Sequence, residues 1–141
     1  MSLKTELRTK LLADVALGAL IGTRLFPDRA DQTTTMPYIT YQDVSQETTH
    51  HLGGVSPSGF STVTVQFSIW AATGLSRSNV EAALRIALDG KHKQYFGAMW
   101  INSIKYTNGH DTIEDSGDGS QDNNVYGKFM DFEIVHERAV S

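Results

Sequence analysis

Histidine and carboxylate side chains are the groups best suited to hold a metal or move a proton, and this chain has five histidines and sixteen Asp and Glu residues to arrange. His50 and His51 are adjacent in a stretch dense in Gly, Ser and Pro. Neighbouring side chains on an extended segment point to opposite faces, so this pair does not close on one ion and reads as part of a solvated loop. His136-Glu137 opens like the zinc-protease motif H-E-x-x-H, but Val140 stands where the second His belongs, and the context is a strand. Carboxylates gather between Asn108 and Asn124, where Asp111, Glu114, Asp115, Asp118 and Asp122 share the run with Gly109, Gly117 and Gly119 and with no Lys or Arg. Oxygen-rich loops of this kind bind hard cations when the register is right. Started at Asp118, the calcium-loop register puts Asn123 at the turn glycine and Phe129 at the bidentate Glu; started at Asp115, it puts Gly117 and Gly119 at ligand places. Both fail, so the run is expected to be a flexible acidic loop with no metal bound.

Nucleophiles fare no better. With no cysteine, thiolates, disulfides and cysteine metal sites are excluded. Gly54-Val55-Ser56-Pro57-Ser58 lacks the second glycine of a nucleophile elbow, and neither phosphate-cradling pattern, G-x-x-x-x-G-K-S/T or G-x-G-x-x-G, occurs. No catalytic residue and no cofactor is therefore expected, and the chain reads as a non-enzyme.

Bulk properties narrow the class further. A chain of 141 residues suits one domain, residues 1–141, with 40% hydrophobic and 20% charged residues. The net charge of −4, with scattered Lys and Arg, argues against binding nucleic acid by phosphate neutralisation. No apolar run is long enough to cross a bilayer, and Met1 to Glu6 do not resemble a signal peptide, so synthesis in the cytoplasm is expected.

What must position any site is a sheet. Ser61 to Trp70 alternates with period two: Val63, Val65, Phe67, Ile69 and Ala71 face a core, and Thr64, Gln66 and Ser68 face away. Ser78-Asn79-Val80-Glu81 reads as a capping box opening a helix whose stripe is Val80, Ala83, Leu84, Ala87 and Leu88. Leu7, Leu11, Leu12 and Val15 predict an amino-terminal helix from about Leu3 to Leu17. Further strands are expected over Tyr38–Thr48, Met99–Tyr106 and Val125–Glu137, with a hairpin connection between His50 and Gly59 and a polar exit at Gly90-Lys91-His92-Lys93. The fold class is α+β: a mainly antiparallel sheet of about four long strands with two helices packed on one face. Most aromatic residues read as core or cross-strand pairs. Tyr38, Trp70 and Phe129 fall on the faces opposite the core, which makes them candidates for burial by a neighbouring subunit.

Several segments together resemble a known family: Gly22-Thr23-Arg24-Leu25-Phe26-Pro27, then Met36-Pro37-Tyr38-Ile39-Thr40-Tyr41, then Val65-Gln66-Phe67-Ser68-Ile69-Trp70-Ala71 just before a helix. Their order is similar to that of the tail-completion or tail-terminator proteins of long-tailed bacteriophages and prophages. The likeness covers most of Leu7 to Leu88 and continues more weakly into Phe129 to Glu133. Asp31 follows Ala30 where the family often has Ala-Pro, and the acidic run has no clear counterpart. The resemblance implies a structural virion protein of the tail and neck. Such subunits close into a ring, typically a hexamer, that caps the head-proximal end of the tail tube, ends its polymerisation and joins tail to head. The implied partners are sister copies, the tail tube protein and the connector or stopper of the head, with DNA passing through unbound and no membrane involved. A lumen lined by carboxylates would repel phosphates within about 8–10 Å, which places Asp111, Glu114, Asp115, Asp118 and Asp122 as a candidate lumen-facing or tube-facing loop. Alternatives are a head-side stopper or adaptor, a cation-dependent hydrolase using His110, Asp111, Asp115 and Asp118, or a small-molecule binding domain.

Overall fold

Val63, Val65, Phe67, Ile69 and Ala71 are all buried, so the alternating strand does form one wall of the core. The computed structural model describes residues 3–28, 35–49, 60–97, 99–114 and 125–137. In chain order the elements are α1 (Leu3–Leu12), α2 (Val15–Ile21), β1 (Leu25–Pro27), β2 (Tyr38–Thr49), β3 (Phe60–Ala71), α3 (Gly74–Leu88), β4 (His92–Phe96), β5 (Met99–Glu114) and β6 (Val125–Glu137). The strands make one six-stranded sheet in the order β1-β2-β3-β6-β5-β4, curved into a half-barrel. All pairings are antiparallel except β1 with β2, which is parallel.

This overturns the expected fold of about four strands and two helices. Two short edge strands and a third helix are added, each for a physical reason. β1 has three residues and β4 five, too few to display a period, and β4 begins in a charged stretch that reads as a loop. The amino-terminal helix does not run to Leu17, because Asp14 leaves helical geometry and its side chain accepts a hydrogen bond from Leu17 N at 2.9 Å, capping a new helix. Gly22, at φ 62, then ends α2, a conformation that favours glycine.

Helix α3 starts earlier than the capping-box expectation. Its N-cap is Thr73, whose hydroxyl accepts from Ser76 N at 3.1 Å, so Ser78 sits inside the helix and is exposed. Asn108 to Glu114 belong to β5 rather than to a loop, paired with β6 from Asn108↔Asp131 to Glu114↔Val125. Asp115 to Asn124 lie outside the described residues, as does the hairpin connection from His50 to Gly59.

The helices cover one face. Leu3, Leu7 and Leu11 of α1, Leu17 and Ile21 of α2 and Val80, Leu84 and Leu88 of α3 meet Val65, Phe67, Phe132 and Ile134 of the sheet in one cluster. Each fully buried side chain of this kind contributes about 1.5–3 kcal/mol. Phe132 sits at the centre, edge-on to Phe67 at 5.6 Å and to Tyr106 at 5.4 Å.

Candidate functional site

Burying one face of a sheet commits alternate residues to the other, and there the chain places aromatics. Register pairs Tyr38 with Trp70, Ser68 with Phe129, and Phe129 with His110. Phe26 of β1 lies opposite Thr40. Five strands thus contribute to an aromatic row on the face away from the helices. Phe26 meets Tyr38 edge-on at 6.5 Å, Trp70 meets Phe129 edge-on at 5.6 Å, and His110 stacks on Phe129 at 4.8 Å. A groove of about 300 Å³ runs along this row, bounded by Tyr38, Trp70 and Phe129 and by Asp28, Gln42 and Gln66. Beside it runs a polar rung across three strands: Gln42 Nε2 donates to Gln66 Oε1 at 3.5 Å, and Gln66 Nε2 donates to Asp131 Oδ1 at 3.1 Å. The groove therefore combines π faces with fixed donors and acceptors, a chemistry suited to a protein surface more than to a reaction.

Trp70 lies flat enough across β6 that its partner there must be glycine. A Cβ on Gly127 would stand 2.9 Å from Trp70 Cζ3 and 2.7 Å from Thr112 Cγ2. So the three aromatics singled out in the sequence do converge, and Phe26, His110 and Gly127 complete the arrangement. Strand parity carried forward from Leu25 could have found Phe26, whereas parity along β5 could not have found His110, because the extra residue at the bulge after Tyr106 reverses it.

The acidic residues are placed differently. Asp111 is on the helix-side face of β5 and is compensated: Oδ1 is 3.1 Å from Lys128 Nζ and Oδ2 is 3.8 Å from Arg77 Nη2. Lys128 also lies 3.5 Å from Glu81. Arg77 further donates to the carbonyls of Thr112 and Gly127, both at 3.4 Å, tying the start of α3 to the β5–β6 pair. Burial alone would lower the Lys128 pKa, but the hydrogen bond that Lys128 donates to Asp111 and the charges of Glu81 and Asp111 outweigh it and raise the value above the usual lysine. Glu114 ends β5, and Asp115, Asp118 and Asp122 lie outside the described residues. His110 and Asp111, adjacent on β5, turn to opposite faces of the sheet, so the set considered for a cation-dependent hydrolase is divided by the strand itself. Among the described residues no three His, Asp or Glu side chains gather as a metal site.

Comparison with known proteins bears on this arrangement as a whole. No curated protein matches the chain. Among solved structures it is similar to a chain of "Virion of native gene transfer agent (GTA) particle", with a TM-score of 0.69 and 13% identity, over 96% of this chain and 95% of that one. Such identity speaks for the fold alone. The family described as "Tail completion protein gp17" matches residues 5–137, from within α1 to the last residue of β6. Because that match takes in the whole sheet and the helices that cover it, the chain belongs to the tail completion family and is a structural component of the phage virion.

Proposed function

We propose that the chain closes into a ring, a hexamer by the family resemblance, at the head-proximal end of the tail tube, where it ends tube polymerisation and joins tail to head. The observation that carries this reading is the aromatic row on the face away from the helices in a tail completion fold. Tyr38, Trp70 and Phe129 present large rigid surfaces at small entropic cost, which subunit contacts favour. A neighbouring copy covers them in the assembled ring. The acidic segment joining β5 to β6 then faces the channel or the tube, where its carboxylates keep passing DNA from adhering, and the ring meets the tube protein on one side and the head connector on the other.

Two measurements test this. Solution mass with negative-stain imaging should give a ring for the wild type, and Trp70→Ser with Phe129→Ser should leave a folded subunit that no longer closes. In a phage lacking the protein, overlong or unstable tails beside filled heads are expected. Heads that leak DNA beside tails of normal length would instead assign the chain to the head-side stopper position.

A further inference from the structure

Besides the outer sides of the edge strands β1 and β4, two stretches of strand edge have no pairing strand among the described residues, and they belong to different strands. Among the described residues no strand pairs with the outer side of β2 beyond Tyr41, or with the outer side of β5 beyond the contacts of Gly90 and Lys91 with Ile104 and of Asp89 with Tyr106. That leaves Gln42 to Thr49 on one flank and Asn108 to Glu114 on the other, each roughly 20–25 Å long. We propose that these two edges pair with one another between copies, β2 of one subunit against β5 of the next, so that the sheet runs on around the ring. The proposal rests on the ring reading above and adds to the cover of the aromatic row a second contact between the same copies.

Direction supports the pairing. β2, β3, β6 and β5 alternate antiparallel in that order, so β2 and β5 run oppositely. Copies related by rotation about a ring axis keep that relation, and their edges meet antiparallel. The contact is heterologous, joining two different surfaces, which is the kind that builds rings of more than two members. Position supports it as well. The open part of β2 lies towards the end of the sheet where Phe60 pairs with Glu137, and the open part of β5 towards the end where Ala71 pairs with Tyr126. Diagonal placement requires successive copies to be staggered along the strands, and tilted strands in a closed barrel have that stagger.

Edge chemistry separates these stretches from the sheet's other edges. Exposed edges are ordinarily blunted by Pro or Lys. β1 ends in Pro27, and β4 is flanked by Lys91 and carries Lys93 at φ 47. Neither Gln42–Thr49 nor Asn108–Glu114 contains Lys, Arg or Pro. Among the described side chains each displays an exposed large hydrophobic one, Val44 at 54% and Ile113 at 58%. The bulges after Asp43 and after Tyr106 fall where cover by the short strands has ended. Gln42, the first residue of the open β2 stretch, also bounds the aromatic groove, so a copy seated on this edge continues onto that surface.

Backbone hydrogen bonds identify the groups available. Ile39 N donates to Arg24 O, and Tyr41 O accepts from Asp28 N, so odd residues of β2 turn outward and Asp43 follows. On β5 Ile104 and Tyr106 turn outward, and the extra residue Thr107 exchanges the parity, leaving Gly109, Asp111 and Ile113 with outward N–H groups.

Asp43→Pro and Ile113→Pro each remove one outward donor at positions where an edge strand accepts proline, and circular dichroism checks that each variant folds. Each alone should remain a monomer at ten times the concentration at which the wild type forms rings. Mixed in equal amounts they should give a dimer, because one intact β5 edge can meet one intact β2 edge and no further junction can form. Assembly of either variant alone as in the wild type, or a mixture that stays monomeric, overturns the edge pairing. Hydrogen exchange supplies a measurement without substitution: in wild-type rings the Gly109, Asp111 and Ile113 amides should exchange at least tenfold more slowly than in dilute monomer, and equal rates overturn the proposal. Rings that persist in both variants refute the edge contact and leave the ring itself standing. The variant dimer together with DNA-leaking heads in the phage lacking the protein would support the contact and refute the terminator position.

Discussion

Replacing Gly127 by Ala should move Trp70, and the size of the effect follows from the geometry. The added methyl would meet Trp70 Cζ3 at 2.9 Å and Thr112 Cγ2 at 2.7 Å, so at least one must shift. Trp70 is held edge-on by Phe129 at 5.6 Å and is not a free chain end. Overpacking of this kind costs about 1–3 kcal/mol, and disturbing the Trp70–Phe129 contact adds up to about 0.5–1.5 kcal/mol. Against that, losing a glycine stiffens the unfolded chain and offsets about 0.4–1 kcal/mol. The net expectation is a loss of about 0.5–4 kcal/mol, or a fall in Tm of roughly 2–13 °C. Urea unfolding followed by circular dichroism measures it. In a Trp100→Phe background, Trp70 fluorescence reports whether the indole has moved into water. The decisive control is Trp70→Leu with Thr112→Ser, which removes both obstacles. There Gly127→Ala should be neutral or slightly stabilising. An unchanged cost in that background would show that the substitution acts through something other than these two side chains, and the account of why glycine is needed would be wrong.

Alkaline titration should weaken the fold from two directions. Lys128 has a raised pKa in the folded state, so its stabilising contribution is complete below the unfolded lysine value and is lost as pH rises through the folded one. Tyr41 is raised by burial, which outweighs the opposing Arg8 and is reinforced by Asp28 and Asp43; it stays neutral in the fold while the unfolded chain ionises above the usual tyrosine value, and stability falls there too. Thermal melts from pH 8 to 12 should show this decline, with Tyr41→Phe and Lys128→Arg each flattening part of it; a decline untouched by both would contradict the assignment. At the start of α3, Thr73→Ala should cost about 0.5–2 kcal/mol as the loss of an N-cap. Ser78→Ala, at an exposed helical position, should stay within about 0.5 kcal/mol; the reverse order in chemical denaturation would return the cap to Ser78.

Legibility in the sequence followed length and period. The β3 alternation ran long enough to identify its buried face, and the stripe of α3 from Val80 to Leu88 was visible although the first turn was not. That turn, from Gly74, lacks the apolar spacing that marks the rest, and Leu75 is exposed. Strand β5 was cut short at Tyr106 because its continuation is polar apart from Ile113 and bends at a bulge, features that look like loop to any rule based on hydrophobicity. The candidate surface was half legible. Trp70, Tyr38 and Phe129 followed from parity, whereas the close approach of Trp70 to Gly127 depends on which residue the register sets opposite it.

By itself the sequence determined what is local: which face of each long strand meets the core, which aromatics must lie on the other face, and the order of motifs shared with the tail completion family. Tertiary structure alone decided which residues meet. Asp111, counted in the sequence among carboxylates without a cation, finds Arg77 from α3 and Lys128 from β6, partners distant along the chain. Among the described residues, β2 and β5 also run on past their outer neighbours only because β1 and β4 are shorter than the strands they cover. Periodicity records a residue's own exposure, and pairing is recorded only in the register between segments brought together by folding.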